Sequence, residues 1–197
     1  MSEVSIRDAE HAEQLFDAVS EQLAARGEAH TIAVVGGSAL NALGFVSRPT
    51  RDVDVVALLQ NEELISAKSL PDGLSAAVKL VADDFGLPEH WLNPGPTALL
   101  DFGLPLGFLA RGVRRSYGPA LEVIFAGRLD QIHFKLYAVV DQGGGRHLED
   151  LQALSPTEVE LLEAAEWSET HDNSAGYRGI LDKVLAHFGV RREPTDD

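Results

Sequence analysis

Apolar positions change period several times along the chain, and each change marks a predicted element. Between residues 7 and 26, Ala9, Ala12, Phe16, Val19 and Leu23 recur every three or four positions, the spacing that gathers side chains into one stripe of an α-helix. Asp8 and Glu10 suit the positive end of its dipole, and Gly27 stands where the helix should stop. Residues 32–35 abandon that spacing for a continuous apolar run, mostly β-branched, the mark of a strand covered on both faces. Gly36-Gly37 breaks the run, Ser38 is placed to cap a short helix over 39–43, and Gly44 ends it. A second strand starts near Val53, where Asp52 and Asp54 alternate with the valine.

Downstream, residues 61–65 read as a short helix, and Pro71-Asp72 opens a longer one, with Leu74, Ala77, Val78, Val81 and Ala82 on its apolar face and a stop near Gly86. Residues 86–119 are rich in Gly and Pro and read as irregular, with short segments at 99–102 and 107–109. A strand is expected over 121–125, with Glu122 on the face opposite Leu121, Val123 and Phe125. Ile132, Leu136 and Val139/Val140 stripe a helix over 129–140, with Lys135 at the border of the stripe. Gly143-Gly144-Gly145 is a flexible connector. Pro156 starts another helix, with Ser155 as cap and Glu158 completing a capping box, and a last helix runs over 175–188. The pattern predicts an α/β (α+β) class, with a mixed sheet flanked by helices over 1–154, C-terminal helices packed on that core over 155–188, and a disordered tail over 189–197.

The chemistry concentrates in residues 32–58. Strand side chains repeat every two residues, so Asp52 and Asp54 are expected to leave one face about 6–7 Å apart. Two carboxylates side by side repel unless a cation lies between them, and hard oxygen ligands suit Mg²⁺ or Mn²⁺. The backbone N–H groups of Gly36, Gly37 and Ser38 offer an anion cradle. A phosphate cradle beside a metal platform points to chemistry on a nucleoside triphosphate.

Gly36-Gly37-Ser38-Ala39-Leu40, followed by Arg48-x-Thr50-x-Asp52-x-Asp54, resembles the signature of the nucleotidyltransferase superfamily, the polymerase-β-like fold. It is similar above all to the bacterial branch around AbiEii-type toxins of toxin–antitoxin and phage-defence systems. Gly86-Leu87-Pro88 and Trp91-Leu92-Asn93 resemble a second motif of related uncharacterised families. The resemblance implies a minimal nucleotidyltransferase fold that moves a nucleoside monophosphate from a triphosphate to an acceptor hydroxyl on RNA, protein or a small molecule. Alternatively, an inactive relative serves as a nucleotide binder, scaffold or antitoxin. It further implies a third carboxylate from a later strand, for which Glu122 is the candidate and Asp101 the fallback. Arg48 or Thr50 would contact phosphate or brace the carboxylates. Lys135 would neutralise triphosphate charge. Asp150, in the segment Arg146 to Leu151, either contacts substrate or serves as a helix acid. Trp91 and Asn93 either line a base pocket or, for Trp91, belong to the core.

Composition narrows the partners. The 31 acids outweigh 16 bases, for a net charge of −15, which disfavours general polynucleotide binding. Arg111, Arg114 and Arg115 form the one dense basic cluster. There is no cysteine, which excludes thiolate metal sites and disulfides and fits the cytoplasm. No apolar run approaches the roughly 18 residues of a membrane span.

Overall fold

The computed structural model describes residues 5–192 and separates into two compact units, one ending at Gly127 and the other beginning at Arg128. The sequence pattern had put its boundary after residue 154; here the helices over 128–153 fall in the second unit.

In the first unit, α1 (Ala9–Ala24) is capped by Asp8, whose side chain accepts from the His11 N–H. It leads to β1 (His30–Val35), α2 (Gly36–Ala42) and β2 (Val53–Gln60). Residues 61–65 correct the expected helix. Asn61 and Glu62 take positive φ and form a tight turn, and β3 (Glu63–Ile65) folds back antiparallel on β2, Leu64 opposite Leu59. The apolar strand edge outweighs a short local helix preference. After α3 (Asp72–Phe85), the stretch that read as irregular carries β4 (Leu92–Asn93), a 3₁₀ turn at Gly95–Thr97, α4 (Ala98–Phe102), α5 (Phe108–Arg111) and β5 (Val113–Tyr117) before β6 (Leu121–Phe125). The mixed sheet runs β3-β2-β1-β6-β5, with β4 pairing parallel to β2. β1 is antiparallel to β2 and parallel to β6.

One face of this sheet, with Ile32, Val34, Val53, Val55, Leu121, Val123 and Phe125, shares a buried core with Leu15, Phe16 and Val19 of α1 and Leu74, Val78 and Val81 of α3. Each fully buried side chain of this kind contributes roughly 1.5–3 kcal/mol. Trp91 belongs to this core, fully buried, its indole N–H donating to the Val78 carbonyl at 3.1 Å. The chemistry is therefore confined to the other face.

The second unit comprises α6 (Arg128–Gln142), α7 (Arg146–Ala153), α8 (Glu158–Glu169) and α9 (Ala175–His187), the other three packing against α6. Trp167 of α8 meets Phe134 and Tyr137 of α6 edge-on, at 5.6 and 6.1 Å between ring centres. The cap of α8 is Thr157 with Glu160, two residues beyond the expected Ser155–Glu158 pair. Ser155 has positive φ, so it turns the chain and leaves the extended cap position to Thr157. Val190 is buried and Arg192 pairs with Glu169 and Asp182, so order extends past residue 188. Residues 193–197, also expected as tail, lie outside the described residues. Among those described, no helix is long and apolar enough to cross a membrane.

Candidate functional site

The turn after β1 and the start of β2 are brought together by the antiparallel pairing of those strands, in which Val35 faces Asp54 across the ladder. Gly36 sits at φ +74°, a left-handed conformation that L side chains rarely adopt, and a Cβ there would lie 2.4 Å from Asp54 Oδ2. The backbone conformation favours glycine, and a side chain there would have to displace the neighbouring carboxylate. A Cβ on Gly37 would meet Thr50 Oγ1 at 3.1 Å and Arg48 Nη2 at 3.6 Å. The two glycines are consequently flanked by Asp54, Thr50 and Arg48.

Asp52 and Asp54 project to the same side. One amide, Asn93 Nδ2, donates to Asp52 Oδ2 at 3.4 Å and to Asp54 Oδ1 at 3.2 Å. Asn93 reaches them because β4 pairs parallel with β2, placing it opposite Asp54. The anchor is Trp91, whose carbonyl accepts from Val53 N–H. Burial raises the Asp52 pKa above the usual carboxylate value, against the hydrogen bond from Asn93 and the charge of Arg51. A half-buried anion held beside a second carboxylate is an arrangement that a cation relieves.

Asn41 fixes the loop between α2 and β2. Its side-chain amide donates to the Arg48 carbonyl at 2.7 Å, and its Oδ1 accepts from the Arg48 N–H at 3.3 Å. Thr50 is buried, bridges to Ile6 through backbone bonds, and donates its hydroxyl to the Asp52 carbonyl at 3.3 Å. Neither the Asn41 clamp nor the Asn93 bridge was assigned from sequence. The one available signal for Asn93 was its place in the Trp91-Leu92-Asn93 motif.

Ser38 departs from its expected role. It lies inside α2 while Val35 occupies the cap position, and its hydroxyl is buried with no hydrogen-bond partner. An orphaned buried hydroxyl costs free energy.

Glu122 does not join the aspartates, and its assignment as third carboxylate is corrected by register. Because β6 runs parallel to β1, Glu122 pairs with Thr31 rather than with residues near Val35. Four residues of strand separate these levels, about 13 Å. Glu122 Oε2 instead takes hydrogen bonds from Thr31 and Arg114, at 3.4 and 3.2 Å, and lines a separate cavity of about 410 Å³ with His30 and Ser116. Ala126 is the next residue at the end of β6 nearest the turn, a position without a carboxylate. Asp101 is likewise elsewhere, exposed and paired with Lys68 at 2.7 Å. Among the described residues, no group of three or more His, Asp or Glu side chains is placed to hold a metal ion.

Lys135 and Asp150 both lie in the second unit and hold each other at 2.8 Å, with side-chain exposures of 8% and 2%. Lys135 is thus more deeply buried than a stripe-border position suggested. Two members of the basic cluster form ion pairs: Arg114 binds Glu122 and Arg115 binds Glu13.

Two carboxylates beside a glycine turn form a donor set that could hold a hard divalent cation with a polyphosphate next to it. No protein-family model, no curated protein and no solved structure matches the chain.

Proposed function

We propose that this protein binds a nucleoside triphosphate together with Mg²⁺ or Mn²⁺ and transfers the nucleoside monophosphate to an acceptor hydroxyl. The single observation that carries the reading is the convergence of Asp52 and Asp54 beside Gly36, with Arg48 and Thr50 against Gly37. Asp52 and Asp54 would hold the cation, which when bound supplies Lewis-acid polarisation of the phosphate and a lowered pKa for the attacking hydroxyl.

The chain's own contribution is positioning. Gly36 and Gly37, lacking side chains, let phosphate oxygens approach the backbone N–H groups. Ser38 supplies a hydroxyl that has no other partner. Arg48, its backbone clamped by Asn41, places a guanidinium beside the same turn to offset charge on the leaving pyrophosphate. The acceptor oxygen forms its bond to the α-phosphorus as the bond to the β-phosphate oxygen breaks, and the hydroxyl proton passes to solvent. Fixed charges and dipoles of this kind account for most of the rate in phosphoryl chemistry.

A second reading, nucleotide binding without transfer, is favoured by the position of Glu122, which leaves two carboxylates at the turn. Incubation with each α-labelled triphosphate, Mg²⁺ and cell lysate separates the two. Label in RNA, protein or a small molecule, together with pyrophosphate release, supports transfer and identifies the acceptor. Binding by calorimetry without pyrophosphate supports the second reading. The double variant Asp52→Asn, Asp54→Asn should abolish both binding and labelling, and full retention in that folded variant refutes the site. Growth arrest on expression of the wild type, absent in that variant, would support a toxin whose partner is an antitoxin.

A further inference from the structure

Asn93 is in hydrogen-bond contact with both aspartates. Asp52 and Asp54 supply two carboxylates, and Glu122 is too far along the sheet to add a third. We infer that Asn93, through its side-chain carbonyl oxygen, is the third protein ligand of the divalent cation. This rests on the reading of Asp52 and Asp54 as the cation's carboxylates.

The spacing supports it. Asn93 Nδ2 stands 3.4 Å from Asp52 Oδ2 and 3.2 Å from Asp54 Oδ1. Neighbouring oxygens around an octahedral Mg²⁺, with bonds of about 2.1 Å, are separated by about 3.0 Å. The terminal atom of Asn93 thus lies against both carboxylates, where it adjoins any cation the two share. An N–H donor in that place satisfies the two carboxylates, whereas an oxygen there would serve a cation between them. The amide's nitrogen and oxygen are nearly equal in size and its terminal torsion is broad and roughly two-fold. A half-turn about Cβ–Cγ exchanges Nδ2 for Oδ1 in the same volume.

That turn gives up one hydrogen bond. Asn93 Oδ1 accepts from the Gly95 N–H at 2.9 Å, and Gly95 is exposed, so its N–H passes to water when the amide turns. The backbone does not have to move, because Trp91 and Leu92 are buried and the β4–β2 pairing holds Asn93 opposite Asp54. The Trp-Leu-Asn motif thus acquires a physical reason: two apolar residues anchor the strand and the third presents an oxygen.

Mn²⁺ titration of the purified full-length protein, following free Mn²⁺ by electron paramagnetic resonance, tests the inference without any turnover. Asn93→Ala is expected to weaken Mn²⁺ binding by about 10-fold or more. Asn93→Asp, with an anionic oxygen in either rotamer, is expected to bind at least as tightly as the wild type, which also shows that the strand tolerates substitution there. Equal or tighter binding by Asn93→Ala, or weaker binding by Asn93→Asp, overturns the assignment. Asp54→Asn is the separate control. If it leaves Mn²⁺ affinity unchanged, the two-carboxylate reading itself falls; if it weakens binding while Asn93→Ala does not, the inference about Asn93 alone falls.

Discussion

Replacing Gly36 by alanine perturbs backbone and site together, and Gly44 provides a matched reference. Gly36 and Gly44 sit at φ +74° and +77°, yet a Cβ on Gly44 meets nothing within 4 Å whereas one on Gly36 lies 2.4 Å from Asp54 Oδ2. Each substitution therefore costs about 1–2 kcal/mol for the left-handed backbone, but Gly36→Ala must also move the carboxylate by about 1 Å to restore ordinary contact. That displacement has two outlets. If the backbone yields, overpacking adds roughly 1–3 kcal/mol. If the Asp54 side chain rotates, little stability is lost but the carboxylate leaves Asn93 and Asp52. The assay is thermal melting beside Mn²⁺ titration of both variants. Gly44→Ala should melt lower by roughly 2–8 °C, at about 2–4 °C per kcal/mol for a chain of this length, with cation affinity intact. Gly36→Ala should melt at least as low and lose affinity about 10-fold or more, on the scale of a disturbed ligand environment. Wild-type affinity in a folded Gly36→Ala protein would refute the claim that the glycine turn and Asp54 form one site.

The remaining predictions concern buried charge. Burial raises the Asp52 pKa, so its contribution to stability is fully present below the unfolded value of 3.8 and is lost as pH rises through the higher folded value. Without divalent cation, Asp52→Asn should therefore melt above the wild type at pH 7, and the gain should shrink toward pH 3.8 in a pH series of melting curves. In the second unit, Lys135→Ala or Asp150→Ala alone removes the counter-charge of a buried group and should cost about 3–5 kcal/mol. The double change Lys135→Met with Asp150→Leu should be much milder in urea unfolding, and equal loss in single and double variants would contradict a pair held mainly by mutual neutralisation.

Local rules had a definite reach here. The continuous apolar run, the glycine break and the alternation of Asp52 and Asp54 about Val53 are properties of a few adjacent residues, and the strand, the turn and the shared side of the carboxylates follow from backbone geometry alone. The stripes of α1, α3 and α6 were legible for the same reason: 3.6-residue periodicity is written within one element. Caps were less secure, since Ser155 and Ser38 have capping chemistry but Thr157 and Val35 hold the extended backbone that the cap position requires.

What tertiary structure alone decided involves residues far apart in the chain. Residues 63–65 became a strand, reached by a turn at 61–62, because β2 offered an edge to pair with. Glu122 had the right charge and face, but parallel register put it beside Thr31, since in parallel strands the end near the Gly36 turn is the carboxyl end of β6. Asn93 met Asp52 and Asp54 only because β4 joined β2 some 40 positions later, with Trp91 buried as its anchor. Periodicity specifies which side of a strand a residue occupies; the level it occupies along a neighbouring strand is set by pairing, and pairing is settled by the packing of the whole sheet.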